Sequence, residues 1–273
     1  MDTTTSSRVL FICSEIAPFV PDSEMSVMGR LLPQWVQDNG REIRSFMPRF
    51  GHVNERRNQL HEVIRLSGLN LIIDDTDHPL IIKVASMPGS RTQVYFIDND
   101  DFFQRKNALV DDDGMPFEDN DERSIFFVRG VLETIKKLRW KPNIVHCQGW
   151  FTFLATLYMK RAYKDDPIFS RTKIILAFTE NDIFEGTLGA RLREKLVSDG
   201  IRAKDVETLE TASYENLVKV ALTFANGVIF FGKKNPKVST WVRAAQKPVL
   251  HCKKPQQELE ICNDFYTQIM RTR

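Results

Sequence analysis

The chain has little of what marks a disulfide-rich, metal-binding or membrane protein. It contains four cysteines in 273 residues, and no two of them form a C-x-x-C pair. Such irregular spacing is typical of reduced thiols that pack in the interior rather than of a zinc site. No apolar run approaches the length that a membrane-spanning helix needs. The four are Cys13, Cys147, Cys252 and Cys262.

Net charge is almost absent as well. The 38 basic and 36 acidic residues leave a formal charge of +2, and both signs are scattered along the chain. A nucleic acid is therefore not expected as a partner. Residues 1–7 lack the basic flank and the apolar stretch of a signal peptide. We therefore expect a cytoplasmic protein that does not bind membranes.

Carboxylates are concentrated in residues 98–103, 111–114 and 118–122. A calcium loop would need oxygen ligands at alternating positions and a closing glutamate, and the spacing here does not supply them. Solvated loops are the better interpretation. We expect neither a metal ion nor a cofactor.

The chain does have a strongly apolar first strand. Residues 9–13 are apolar without a break, which predicts a strand that is buried on both faces. Residues 25–36 show helical spacing and residues 41–47 form the next strand, so the three segments make a βαβ unit with a right-handed crossover. Ligands of such sheets lie at the carboxyl ends of the strands, and we expect a site in residues 14–24.

The rest of the chain alternates between strands and helices, which predicts an α/β fold: a doubly wound, mostly parallel, Rossmann-like sheet with helices on both faces. Short, turn-separated strands predict an antiparallel hairpin excursion within residues 69–97. We expect one domain over residues 1–273, in which residues 232–273 supply a last strand and a helix that docks on it. Further strands are predicted at residues 143–147, 173–178, 227–231 and 248–252, and helices at 121–139, 150–163, 189–199, 213–224 and from 256 onward.

Several short motifs resemble one known family. Ser14-Glu-Ile-Ala-Pro-Phe19, then Leu32-Pro33, Asn39-Gly40 and Met47-Pro-Arg-Phe-Gly51 are similar, without a gap, to the N-terminal domain of bacterial glycogen and plant starch synthases. The resemblance extends from Arg8 to about Phe231. It implies the N-terminal half of a GT-B glycosyltransferase, with ADP-glucose as the family's donor substrate and an α-glucan as acceptor.

The same resemblance locates the family's cleft in this chain. Where the family has Lys-Thr-Gly-Gly-Leu, this chain has Pro21-Asp-Ser-Glu-Met25. Residues 142–150 match P-D-V-V-H-A-H-D-W, with Gly149 in place of the aspartate, and residues 178–186 match T-V-H-N-L-A-Y-Q-G, with Glu180 in place of the histidine. The candidate cleft positions are Glu15, Pro21, Ser23, Glu24, His146, Gly149, Trp150, Glu180, Asn181 and Gly186.

None of these positions is assigned a catalytic role from the sequence. His146 is a ligand, an acid or base, or a hydrogen-bonded core residue, and its place in a buried strand favours the core. Cys147 is a nucleophile or a buried thiol, and no partner base is evident. Glu180 and Glu185 could pair as the acid and base of a glycosidase, but sequence spacing in a loop does not give their separation in space.

Two functions remain open. Glucosyl transfer from a nucleotide sugar develops charge on the leaving diphosphate, which a lysine and the N–H groups of a Gly-Gly turn offset in the family. Pro21 has no N–H, and Glu24 adds a negative charge. In the family a second domain follows and binds the donor, and we expect none in this chain. These features favour a non-catalytic binding, scaffold or regulatory module, that is, a pseudoenzyme, over a glycosyltransferase that works with a separate donor-binding chain. The candidate partners of such a module are an α-glucan, another protein and a second copy of the chain in a homo-oligomer.

Overall fold

In the computed structural model, which describes residues 7–272, the strands form one mixed sheet flanked by helices. The strands are β1 (Arg8–Cys13), β2 (Glu42–Pro48), β3 (His61–Glu62), β4 (Leu69–Ile73), β5 (Thr76–Ser86), β6 (Gln93–Asp98), β7 (Ile144–Gln148), β8 (Lys173–Phe178), β9 (Gly227–Phe231) and β10 (Val249–Cys252). The helices are α1 (Glu24–Asp38), α2 (Asp100–Phe103), α3 (Asn120–Lys137), α4 (Leu154–Lys160), α5 (Leu192–Ser198), α6 (Tyr214–Phe224), α7 (Pro236–Ala244) and α8 (Leu259–Arg271). Short 3-10 turns cover Trp150–Thr152, Ala203–Asp205 and Glu207–Glu210. No helix in this part of the chain combines the length and apolarity needed to cross a bilayer.

Strand β1 lies in the middle of the sheet. The order is β10-β9-β8-β7-β1-β2-β6-β5-β3, with β4 paired to β5. From β10 to β6 all neighbours are parallel. Residues 9–13 are fully buried, as a strand covered by helices on both faces requires. The predicted doubly wound, mostly parallel sheet is confirmed.

The hairpin excursion is also confirmed. Strand β5 pairs antiparallel with β3, β4 and β6, while β6 returns to the main sheet and runs parallel to β2. The buried residues of β4 alternate with exposed ones, as expected of a strand with one solvent-facing side.

The carboxylate-rich stretches are not all solvated loops, and this prediction was wrong for two residues. Asp98 and Asp121 are fully buried, because lysines from distant strands and helices neutralise them. Lys83 Nζ lies 2.8 Å from Asp98 Oδ2, and Lys195 Nζ lies 2.8 Å from Asp121 Oδ2. The stretch 98–103 also contains α2, whose N-terminus is capped by the side chain of Asn99.

One further prediction was wrong in part, and one helix had no prediction. The helix predicted at 150–163 is a 3-10 turn followed by α4. The N–H of Trp150 donates to the carboxylate of Asp182, which lies outside this segment. Helix α7 was not predicted, because only Val238 and Val242 of its residues are buried and its apolar pattern is correspondingly short.

Helix α8 packs against the sheet and against α1. Its buried residues are Cys262, Phe265, Tyr266 and Ile269. Arg41, just before β2, donates hydrogen bonds to the carbonyl of Asn263 at 3.1 Å and to the hydroxyl of Thr267 at 2.7 Å. These contacts hold α8 over the face of the sheet that carries His146.

Candidate functional site

The expected site lies where β1 and β7 end side by side. The backbone N–H of Ser14 donates to the carbonyl of Gln148 at 3.0 Å, and its hydroxyl donates to the same oxygen at 3.2 Å. The side chain of Gln148 in turn donates to the carbonyl of Met25 at 2.5 Å. Three segments of the predicted cleft are thus tied together at one edge of the sheet.

The turn before α1 uses its own hydrogen-bonding groups. Ser23 caps the helix by accepting from the N–H of Ser26 at 2.9 Å, while the hydroxyl of Ser26 accepts from the N–H of Ser23 at 2.8 Å. The hydroxyl of Ser26 also lies 2.9 Å from the carbonyl of Pro21, to which it donates. The hydroxyl of Ser23 donates to Glu15 Oε2 at 2.7 Å. The structure therefore brings Glu15, Pro21 and Ser23 together around the capping box that Ser23 forms with Ser26.

Glu24 adds a carboxylate to this turn. The residue is exposed, yet its side chain packs against Gly232 in the loop after β9, where the Cδ atom lies 2.9 Å from the place of a Cβ. Burial and, after it, the charge of Glu180 raise the pKa of Glu24. The cleft residues Glu24 and Glu180 are thus close enough to repel each other.

Glu180 forms an ion pair that was not predicted from the sequence. Lys233 Nζ lies 2.6 Å from Glu180 Oε1, and Asn235 donates to the Glu180 carbonyl at 3.3 Å. Asn181 and Gly186 are both exposed. The structure gives Gly186 no neighbouring atom within 4 Å of a Cβ position, so the loop 180–186 does not bring all of its candidate residues together.

Gly149 lies at the most crowded point of the cleft. Its backbone angles are φ 88° and ψ 145°, a region that is essentially restricted to glycine. A Cβ here would overlap the hydroxyl of Ser14 and would lie 2.8 Å from Met25 Sδ. Ser14 and Met25 therefore occupy the space that a side chain at position 149 would need.

A buried carboxylate beside this glycine was missed from the sequence. Asp182 Oδ2 accepts the N–H of Trp150 at 2.9 Å, and the ring of Trp150 packs on Phe184 with centroids 4.7 Å apart. Burial raises the pKa of Asp182 to about 8, the Trp150 N–H opposes that rise, and the charge of Glu15 adds to it. The only sequence signal was its position between two candidate residues, Asn181 and Glu185.

His146 and Cys147 lie beneath the cleft rather than in it. Both are fully buried. Nδ1 of His146 lies 2.8 Å from the hydroxyl of Tyr266, and burial lowers the imidazole pKa to about 3. Burial also raises the pKa of the Cys147 thiol. The imidazole is therefore neutral and the thiol protonated at pH 7, which agrees with core positions.

Two open clefts flank the turn before α1. One, of about 800 Å³, is bounded by Glu15, Phe19, His52, Arg57 and Lys106. The other, of about 600 Å³, runs between Ser23 and Glu24 on one wall and Lys254, Gln256 and Gln257 on the other. Within residues 7–272 no group of three histidines, cysteines or carboxylates is arranged to hold a metal ion. The edge therefore offers hydroxyl, amide and charged groups, which suit polar ligands.

Known proteins share this architecture. The catalytic domain of starch synthase IV from Arabidopsis thaliana, solved with ADP and acarbose bound, superposes with a TM-score of 0.73 over 91% of this chain and 51% of its own, at 17% identity. At this level of sequence identity, the likeness shows only that the two proteins share a fold.

Sequence relatives are closer. The glycogen synthase of Chlorobium limicola is 35% identical over 195 residues, which is 71% of this chain and 40% of the relative. That of Chlorobaculum tepidum is 36% identical over 169 residues, or 62% and 35%. The chain spans about 40% of the length of the curated relatives that it matches. Residues 8–231 match the family described as the starch synthase catalytic domain, and the chain belongs to that family.

Proposed function

We propose that this glycogen and starch synthase-like domain does not transfer glucose on its own and works as a binding, scaffold or regulatory module. Glucosyl transfer requires charge stabilisation on the leaving diphosphate. The solved starch synthase relative holds ADP and acarbose, which are a nucleoside diphosphate and a sugar mimic. In this chain the turn that would meet the diphosphate carries Pro21, Ser23 and Glu24.

One observation carries the proposal: at three positions of the turn into α1, residues 21, 23 and 26, the N–H donor is absent or already engaged. Pro21 lacks an N–H, and the N–H groups of Ser23 and Ser26 are consumed by the capping box. A phosphate cradle needs free backbone N–H groups pointing at the anion. The carboxylate of Glu15 binds this turn through the Ser23 hydroxyl, and Glu24 adds a second carboxylate that extends toward Gly232, so an anion would be repelled.

The other cleft positions support the same conclusion. At Gly149 an aspartate could not be accommodated unless Ser14 and Met25 moved. Glu180 is engaged by Lys233. Losing one preorganised donor to a developing anion typically costs about 10²–10³ in rate, and here several are replaced.

The test is incubation of the purified chain with radiolabelled ADP-glucose and glycogen. We expect incorporation at background. A matched variant, Pro21→Lys with Ser23→Gly and Glu24→Gly, should bind ADP more tightly than the unmodified chain in calorimetry, since it regains a cation and free N–H groups.

Two outcomes would change the assignment. Robust glucose incorporation by the unmodified chain would overturn the proposal. Incorporation that requires an added donor-binding protein would support a glycosyltransferase that works in two chains. Titration with maltooligosaccharides in the same calorimeter separates an α-glucan partner from a protein partner.

A further inference from the structure

The carboxyl edge of the sheet carries a lysine-rich part. Strands β9 and β10 end side by side, since the N–H of Gly232 donates to the carbonyl of Cys252 at 2.9 Å. The two loops that follow, together with the first turn of α7, supply five lysines within this small area. They are Lys233, Lys234, Lys237, Lys253 and Lys254.

The same edge carries a carboxylate-rich part on the loops after β1 and β8 and on the first residue of α1. Between the ends of β10 and β1 there are four strand spacings, about 19 Å at 4.8 Å each. The two signs of charge are thus arranged in sequence along one edge. The carboxylates are Glu15, Asp22, Glu24, Glu180 and Glu185.

Charges in the two parts are mostly unpaired. At the boundary, Lys233 binds Glu180 and Glu24 packs on Gly232. Glu24 and six other charged side chains of this edge form no ion pair within residues 7–272. The six are Asp22, Glu185, Lys234, Lys237, Lys253 and Lys254, all exposed except the half-buried Lys234.

These features point to a partner with the same pattern in reverse order. We propose that this edge binds the same edge of a second copy of the chain. In a two-fold dimer, one surface patch faces itself in the opposite direction, so each lysine-rich part meets the partner's carboxylate-rich part. A uniformly acidic partner would meet repulsion from the carboxylates next to the lysines.

The arrangement of charges around one cleft of this edge agrees with such pairing. The wall with Asp22 and Glu24 and the wall with Lys254 enclose the 600 Å³ cleft. A second copy placed over this cleft by the two-fold axis sets its own acidic wall against Lys254 and its basic wall against Glu24. The dimer would also bring lysines of the partner to the turn whose own cation is absent. The proposal does not depend on whether the chain transfers glucose.

The experiment is sedimentation equilibrium of the full chain at low and high salt. Raising NaCl from about 0.02 M to about 0.5 M shortens the Debye length from about 20 Å to about 4 Å. We expect a mass near that of a dimer at low salt and near that of a monomer at high salt. A chain that stays monomeric at low salt and high protein concentration overturns the proposal.

Charge-swapped variants identify the face. The first variant reverses the lysine-rich part and the second reverses the carboxylate-rich part. Each alone should dimerise at least about tenfold more weakly, because attractions become repulsions, and an equimolar mixture should again sediment as a dimer. The first is K237E, K253E and K254E; the second is D22K, E24K and E185K.

A control reverses as many lysines elsewhere on the exposed surface. It is K141E, K164E and K219E, all exposed positions. This control should dimerise like the unmodified chain, and circular dichroism melts confirm that every variant is folded. Dimerisation that survives both edge variants, or that the control abolishes equally, overturns the proposal.

Discussion

Replacing Gly149 by alanine tests whether the cleft is built around an absent side chain. The added methyl group meets two costs. The first is backbone strain at φ 88° and ψ 145°, about 1–3 kcal/mol for a residue other than glycine. The second is overlap with the Ser14 hydroxyl and Met25 Sδ, and overpacking of this kind costs about 1–3 kcal/mol.

Gly186 provides the matched control. It also has a positive φ, 77°, but the place of its Cβ is open. Gly186→Ala therefore carries the strain without the overlap, about 1–2 kcal/mol. Thermal melts followed by circular dichroism should show Gly149→Ala at least about 3 °C below Gly186→Ala, since 1 kcal/mol shifts the Tm of a large domain by about 2–4 °C.

A second substitution isolates the overlap. Ser14→Gly removes both the hydroxyl and the Cβ that the new methyl group would meet. In a double-mutant cycle, Ser14→Gly should cost less in the Gly149→Ala background than in the unmodified chain, by about 1 kcal/mol or more. Equal melts for the two glycine variants and a cycle that closes without coupling would refute the reasoning.

Four further predictions concern buried groups. Tyr266→Phe should destabilise the fold by about 1–3 kcal/mol, because Nδ1 of His146 loses its buried partner; urea melts measure the change. The His146 imidazole, with its pKa lowered by burial to about 3, should stay neutral in NMR spectra down to about pH 4, and its contribution to stability should be lost as pH falls from about 6.5 toward 3. The raised pKa of Asp182, about 8, contributes stability below about pH 4 that is lost as pH rises through 8, so Asp182→Asn should gain in Tm relative to the unmodified chain from pH 5 to pH 8. Deleting residues 256–273 should lower the Tm by several degrees, because the buried side chains of α8 contribute on the order of a few kcal/mol.

Each of these has a contradicting result. An unchanged melt for Tyr266→Phe means that the hydroxyl contributes nothing to His146. An imidazole that titrates near pH 6.5 places His146 in contact with solvent. A constant Tm difference between Asp182→Asn and the unmodified chain across this pH range means that Asp182 is ionised throughout. A deletion variant that melts like the full chain means that α8 is dispensable.

The strands were predictable because burial on both faces produces continuous apolar runs. Residues 173–178 and 227–231 form strands with the bounds that the sequence predicted. The hairpins followed from turn residues at short spacing. Local sequence carries this information, since it depends on a few neighbouring residues.

The electrostatics of the cleft could not be predicted in this way. Asp182 is buried because it accepts the N–H of Trp150, 32 positions away in the chain. The cation on Glu180 comes from Lys233, on another strand end. The capping box at Ser23 lacks the usual glutamate or glutamine at its fourth position and uses Ser26 instead. Such pairings depend on which loops the sheet brings together.

The central position of β1 has a consequence for synthesis of the chain. Its two neighbours are β2 and β7, and the register joins Val9 to Ile43 on one side and to Ile144 on the other. A ribosome that adds about 5–20 residues per second needs roughly 7–27 seconds to pass from the first of these strands to the last. During that time the backbone N–H and C=O groups of β1 that will pair with β7 have no partner strand, and its apolar side chains are not yet fully covered, which makes β1 a site for chaperone binding and for misassembly.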